Sequence, residues 1–147
     1  MANQIIETSL KLIDDKVKLE SEFPQKPSIT TDYFPPIGTS DGYIPLELVL
    51  ASFASCLSTT ILFVLRNQKN KNITSFSAET KGIQRQELPK IIERIIIDIE
   101  IGSPDISDME FKEALKISEY ICPVWTMLKG NTEVEIKYEC KSQVEPT

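Results

Sequence analysis

The stretch from Leu48 to Leu65, LVLASFASCLSTTILFVL, constrains the fold of this chain more than any other feature. Its eighteen residues carry no charge, and Glu47 and Arg66 flank it. The length reaches the threshold for a membrane-spanning helix, but five serine and threonine side chains interrupt it and its flanks lack paired aromatic and basic anchors. We therefore favour a helix buried in a protein core or an interface, which begins near Pro45 because proline suits a first helical turn.

Small side chains form a stripe along this helix. Ala51, Ser55 and Ser58 are spaced i, i+4, i+7 and so lie on one face, where they allow a second helix to approach closely. A chain of 147 residues can hardly bury an all-round apolar helix within one subunit, whereas a two-fold partner would supply the same helix to cover it. The sequence therefore predicts a homodimer.

Composition excludes several classes of function. The net charge of −6 argues against nucleic acid and anionic membrane surfaces as partners. The first residues form neither a basic nor an apolar leader segment, so we expect no signal peptide and a cytoplasmic location. The chain has no histidine, which excludes Ser-His-Asp triads, Cys-His pairs and histidine-based zinc sites. Three cysteines without a CxxC pair do not favour zinc either: Cys56, Cys122 and Cys140.

The remaining pattern indicates short strands around two helices. It predicts a hairpin about Asp14-Asp15, an irregular proline-rich passage over residues 24–45, the long helix, strands over 72–86 and 94–101, a second helix from the capping box Ser107–Glu110, and a last strand over 134–140. The second helix should bury Phe111, Leu115, Ser118 and Cys122. This order indicates one α+β domain over residues 1–147 and not a doubly wound sheet.

The three cysteines differ in their surroundings. Cys122 stands directly before Pro123, and proline at the first helical position makes the preceding residue an N-cap, unless the previous helix continues through it. We expect the N–H groups and helix dipole there to stabilise a thiolate and lower its pKa. Cys140 occupies an inward position of a strand and is interpreted as a small apolar side chain. From its residue context alone, Cys56 is either a structural residue of the helix interior or a functional thiol.

The two other cysteines together carry a family pattern. A cysteine inside a long helix after P-x-E-L, here PLELVLASFASC, followed 66 residues later by C-P-V, resembles the osmotically inducible protein C and organic hydroperoxide resistance family. The order of elements and the GN-x-E-V motif at residues 130–134 fit as well, so the likeness covers nearly the whole chain. The resemblance implies an antiparallel sheet and a long central helix buried in an intertwined homodimer.

The resemblance also implies thiol-based reduction of organic hydroperoxides. Cys56 would be the peroxidatic residue, which becomes a sulfenic acid, and Cys122 would resolve that acid as a disulfide. An external dithiol would then reduce the disulfide, and no metal, flavin or haem is required. Phe53 and Trp125 are the candidate apolar walls of a substrate pocket. Trp125 follows Cys122 by three residues and so shares roughly one helix face with it, although simple core filling is the alternative.

Two positions depart from the peroxidase pattern. The family's peroxidases use an N-terminal arginine to stabilise the thiolate, whereas every arginine here follows Cys56. They also keep a glutamate ten residues before the first cysteine, where this chain has Leu46, and Glu47 stands nine before. Because nine helical residues span about 13.5 Å, Glu47 cannot touch Cys56 of its own chain. It either acts on Cys56 of a second subunit or is a first-turn acid that favours the helix dipole.

A second function from another class therefore stays open. The chain is either a peroxidase, whose partners are a second copy, a small hydroperoxide and a dithiol reductant, or a catalytically weak dimer that binds a small apolar ligand or a partner protein. The missing arginine favours binding, and the pair of cysteines favours peroxide reduction.

Overall fold

The computed structural model describes residues 2–142, which form two compact units that meet in sequence at Val49 and Leu50. The first unit contains three strands, β1 (Ser9–Leu12), β2 (Leu19–Phe23) and β3 (Lys26–Thr31). β1 and β2 form the predicted antiparallel hairpin, in which the Asp14 carboxylate accepts the N–H groups of two following residues. That residues 1–147 form a single domain stays a prediction.

β3 lies inside the passage that the sequence analysis predicted to be irregular, so that prediction is wrong for residues 26–31. Its prolines and turn residues indicated a loop, because proline has no N–H group to donate to a neighbouring strand. β3 is the last strand in the order β1-β2-β3, and proline is tolerated at a sheet edge. A turn at Gln25, whose φ is 59°, brings β3 back antiparallel to β2.

Beyond β3 the chain folds around the buried carboxylate of Asp32. The N–H groups of Tyr33, Thr39 and Asp41 donate to it over 2.8–3.2 Å, and the Thr39 hydroxyl donates over 2.8 Å. Gly38 packs so closely that a side chain there would overlap the carboxylate. Burial raises the pKa of Asp32, but these hydrogen bonds outweigh it and lower the pKa to about 2. Residues 32–41 therefore form an irregular loop that these hydrogen bonds hold together.

The predicted long helix is confirmed as α1 (Pro45–Phe63), and it continues as one π-helical turn, Val64–Gln68. By length and composition alone, this continuous helix is long and apolar enough to cross a membrane. About a quarter of its apolar stretch is buried within the chain, and five side chains are fully buried: Phe53, Leu57, Ile61, Val64 and Leu65. Ala51, Ser55 and Thr59 on another face are exposed, so burial of the helix is incomplete within a single chain.

The second unit contains β4 (Ser75–Gln84), β5 (Ile92–Gly102), α2 (Asp108–Ile121), α3 (Pro123–Leu128) and β6 (Glu133–Lys141). This mixture of strands and helices confirms the α+β class. The expectation of an antiparallel sheet holds for β4 and β5 but is wrong for β6, which runs parallel to β5. The reason is the connection: α2 and α3 form a crossover that returns the chain to the end of the sheet where β5 starts.

The core of the second unit is formed by one face of β5 and one face of α2. Four alternate isoleucines of β5 are at most 1% exposed, as their pattern predicted: Ile95, Ile97, Ile99 and Ile101. The predicted capping box is confirmed, because Ser107 and Glu110 exchange side-chain and backbone hydrogen bonds at the start of α2. From this start, α2 buries Phe111, Ala114 and Ser118, whereas Leu115 is only partly buried. Its buried face ends at Cys122.

Candidate thiol site

Cys56 and Cys122, from two different helices, lie in contact. Cys56 belongs to α1 and Cys122 follows the last residue of α2, and their sulfur atoms are 3.3 Å apart. The Cys122 thiol donates towards the Cys56 sulfur, and both cysteines are free. A disulfide bond is about 2.05 Å long, so the two sulfurs need to approach by little more than 1 Å to form one. The geometry suits dithiol–disulfide chemistry.

The two thiols differ in access to solvent. Cys56 is partly exposed, whereas Cys122 is fully buried. A reagent from solution therefore meets Cys56 first, and Cys122 is reached through its neighbour. This asymmetry suits a pair in which one thiol attacks and the other resolves.

Cys122 is the N-cap of α3, with Pro123 at the first helical position, as the sequence predicted. The Cys122 side chain makes no capping hydrogen bond, although the nearby N–H groups of Trp125 and Val124 act to lower its pKa. Burial has the largest effect and raises it, and Cys56 raises it further, so the pKa of Cys122 is above its ordinary value. The prediction of a lowered pKa is wrong, because desolvation of a thiolate outweighs two N–H groups at the start of a six-residue helix.

Phe53 and Trp125 pack against each other beside the thiol pair. Their ring centroids are 5.9 Å apart with the planes at 86°, an edge-to-face contact. Each lies three residues from one of the cysteines, and both rings are buried. The Lys129 ammonium lies 5.6 Å from the centroid of the Trp125 ring. This lysine was not among the candidates predicted from the sequence, although its i, i+4 spacing from Trp125 was a signal that could have found it.

Ser118 lies one turn before Cys122 on α2, and its carbonyl accepts the Cys122 N–H over 2.8 Å. Its side chain is fully buried, and its hydroxyl has no hydrogen-bond partner among residues 2–142. Ser118 was predicted from the sequence to lie on the buried face of the helix, without a functional role.

The other candidates lie in different settings. The Glu47 carboxylate accepts the N–H of Ile44 over 2.9 Å, which is a capping contact in the first turn of α1. Action of Glu47 on a second subunit stays a prediction. Cys140 is partly buried on β6 opposite Ile101, and burial, followed by Asp108, raises its pKa. Within residues 2–142, no cluster of histidine, cysteine and acidic side chains has the geometry to hold a metal.

Comparison with known proteins identifies the family and the fold of this chain. The family described as OsmC-like protein matches residues 38–137. A hypothetical protein from Aquifex aeolicus VF5 is 27% identical, with a TM-score of 0.80 over 95% of this chain and 98% of that one. An OsmC like protein from Mycoplasma pneumoniae is 22% identical, with a TM-score of 0.76 over 95% and 98%.

A third solved structure, the organic hydroperoxide resistance protein OhrB of Bacillus subtilis, is 13% identical, with a TM-score of 0.62 over 92% of this chain and 98% of that one. At this identity it shares the fold alone. A search of curated proteins found no match to the sequence. With the family match over residues 38–137 and the same fold in these structures, the chain belongs to the OsmC-like protein family.

Proposed function

We propose that this protein is a thiol peroxidase that reduces organic hydroperoxides through Cys56 and Cys122. The observation that carries the proposal is the 3.3 Å separation between a partly exposed and a fully buried sulfur. Two neighbours in fold support the substrate class, since the proteins from Legionella pneumophila and Bacillus subtilis are both named for organic hydroperoxide resistance.

The reaction has two steps on the protein. The Cys56 thiolate attacks the terminal oxygen of the hydroperoxide, the O–O bond breaks, and the alkoxide takes a proton and leaves as an alcohol. Cys56 is now a sulfenic acid. The Cys122 thiolate attacks that sulfur, the S–O bond breaks, and hydroxide leaves and is protonated to water. The resulting disulfide is reduced by an external dithiol through thiol–disulfide exchange.

The surroundings of the pair suggest the preferred substrate and the pH dependence. Phe53 and Trp125 pack edge to face, and we expect them to form an apolar wall that favours hydroperoxides with an apolar group over hydrogen peroxide. Burial raises the pKa of Cys122. The thiolate, and not the thiol, is the form that reacts. We therefore expect a reaction that accelerates as pH rises and is slower than in relatives with an N-terminal arginine.

The proposal also includes a homodimer built on α1. Ala51 and Ser55 of the small stripe are exposed, and Ser58 is partly buried. Phe63 at the end of the helix is 52% exposed. A second copy of the helix would remove this surface from water.

The test is mass spectrometry of the reduced protein after one equivalent of cumene hydroperoxide. We expect a disulfide between Cys56 and Cys122. Cys56→Ser should abolish peroxide consumption, because it removes the nucleophile, whereas Cys140→Ser is the matched control that should retain it. If the parent protein forms no such disulfide, the peroxidase proposal is wrong, and binding of a small apolar ligand or a partner protein becomes the better explanation of the fold.

A further inference from the structure

The buried hydroxyl of Ser118 is the polar side-chain group that residues 2–142 leave without a partner. The other buried polar side chains in that range are hydrogen-bonded: Asp32 and Ser103. An unpaired buried hydroxyl destabilises a fold. A serine at position 118 therefore keeps a hydrogen-bonding group that the reduced protein does not use.

Ser118 lies one helical turn before Cys122, and both residues are buried. Residues four apart on a helix have their Cβ atoms about 5–6 Å apart. Helical side chains lean towards the N-terminus, so the side chain of Cys122 leans towards the turn of Ser118. The hydrogen bond from the Cys122 N–H to the Ser118 carbonyl keeps the two residues in this relation. Rotation about one side-chain bond of Ser118 can then bring its hydroxyl to the sulfur.

We propose that Ser118 is a positioning residue whose hydroxyl donates a hydrogen bond to the sulfur of Cys122 when that sulfur is a thiolate. The inference rests on the proposed function, in which this thiolate attacks the sulfenic acid of Cys56. In the reduced pair the Cys122 thiol is itself a donor, towards Cys56. Once its proton is lost, the sulfur is an acceptor only, and the Ser118 hydroxyl can donate to it, together with the nearby N–H groups of Val124 and Trp125 that act to lower its pKa.

The donation would oppose the effect of burial. Burial raises the pKa of Cys122, as does Cys56, which is the titratable group among the described residues that acts on it. A hydrogen bond to a charged group is strong enough to lower a pKa by about one unit. Without Ser118, the fraction of Cys122 in the reactive form below its pKa would fall about tenfold.

The first experiment titrates Cys122 without any peroxide chemistry. In a Cys56→Ser, Cys140→Ser background Cys122 is the one remaining cysteine, and the ultraviolet absorbance of its thiolate reports the pKa. We expect Ser118→Ala to raise this pKa by about one unit and Ser118→Thr, which keeps a hydroxyl, to restore it. Thr126→Val is the matched control, because the Thr126 hydroxyl binds the Cys122 carbonyl over 3.0 Å and not its sulfur. It should leave the pKa unchanged.

The second experiment follows disulfide formation in the full chain with all three cysteines. After a pulse of cumene hydroperoxide, Ser118→Ala should form the Cys56 sulfenic acid as fast as the parent but resolve it about tenfold more slowly below the pKa of Cys122. It should also raise the melting temperature of the reduced protein, because it removes an unpaired buried hydroxyl. A variant that changes only the melting temperature would assign Ser118 a purely structural role and contradict the inference.

The two proposals fail in different ways. If the parent forms the disulfide but Ser118→Ala changes neither the titration nor the pH profile of resolution, the inference about Ser118 is wrong and the peroxidase proposal stands. If the parent forms no disulfide, the peroxidase proposal is wrong, and a titration shift in Ser118→Ala would still establish the hydrogen bond to the thiolate.

Discussion

The Lys71 ammonium lies 2.8 Å from the Glu110 carboxylate and ties the chain beyond α1 to the first turn of α2. Lys69 and Glu113, 2.6 Å apart, make the same connection one turn further on. The cysteine of α1 lies eight residues before its π-helical turn, and the cysteine that ends α2 lies nine residues beyond Glu113. Ion pairs therefore connect the chain beyond α1 to the start of α2, and the thiol pair connects the middle of α1 to the residue that follows α2.

Acid should destabilise this protein between about pH 4 and pH 2. The pKa of Glu110 is lowered to about 2 by Lys71 and by Ser107, and the pKa of Asp32 is lowered to about 2 as its hydrogen bonds outweigh burial. In the unfolded chain these groups titrate near pH 4, so the stability they contribute is present above that pH and is lost as pH falls towards 2. Urea unfolding at a series of pH values measures this slope.

The variants Asp32→Asn and Glu110→Gln should each be less stable at pH 7 and show a shallower loss of stability in acid. Asp15→Asn, on an exposed turn, is the control and should keep the parent slope. If Asp32→Asn loses stability in acid as steeply as the parent protein, the ionised carboxylate of Asp32 contributes nothing to stability.

Truncation in the core should cost far more than truncation of a partly exposed strand residue. Ile97 is fully buried and Ile83 is 41% exposed. We expect Ile97→Ala to lower the free energy of unfolding by about 2–5 kcal/mol and Ile83→Ala by about 0.5 kcal/mol. Equal losses in urea unfolding would contradict the assignment of the core to this face of β5.

Removal of the resolving thiol should limit the protein to about one turnover. With Cys122→Ser, nothing attacks the Cys56 sulfenic acid, so it accumulates or is oxidised further. Rapid-quench assays of cumene hydroperoxide should show a burst of about one equivalent per chain without a steady state, and mass spectrometry should find the added oxygen on Cys56. Sustained turnover by this variant would mean that another thiol resolves Cys56.

Oxidation should change the fluorescence of Trp125, the single tryptophan of the chain. Formation of the disulfide moves Cys122 towards Cys56, and the Trp125 N–H is near enough to the Cys122 sulfur to lower its pKa. The indole also contacts Phe53 and Lys129, so its surroundings should shift with the sulfur. The Cys122→Ser variant is the control for direct effects of peroxide. If the fluorescence spectrum of the parent protein does not change at full oxidation, Trp125 is not part of the thiol site.

The protein should be a dimer in solution. Light scattering at micromolar concentration should give about twice the chain mass of 16.6 kDa, because the exposed small face of α1 needs a cover. Ser55→Lys places a charge in the middle of that face and should give monomers. Asn67→Lys adds the same charge at an exposed position beyond α1 and should remain dimeric. If the parent protein is a stable monomer, the prediction of a dimer is wrong.

Local patterns determined much of this structure. The long uncharged stretch, the alternating isoleucines, the capping box at Ser107 and the N-cap at Cys122 were all visible in the sequence, because each depends on spacing within a few residues. The pairing of Cys56 with Cys122 was different, since it was implied by family resemblance. Two cysteines that are 66 residues apart in sequence give no local signal that they meet.

Tertiary structure decided what depends on distant neighbours. Pro27 suggested a loop, but its place at a sheet edge allowed a strand, and the crossover through α2 and α3 set the parallel direction of β6. The N-cap position of Cys122 predicted a lower pKa, whereas burial raised it. The unpaired hydroxyl of Ser118 likewise appears only once the chain has closed around it. Propensity and capping act within a turn or two of the chain, whereas desolvation and strand pairing depend on residues that only folding brings together.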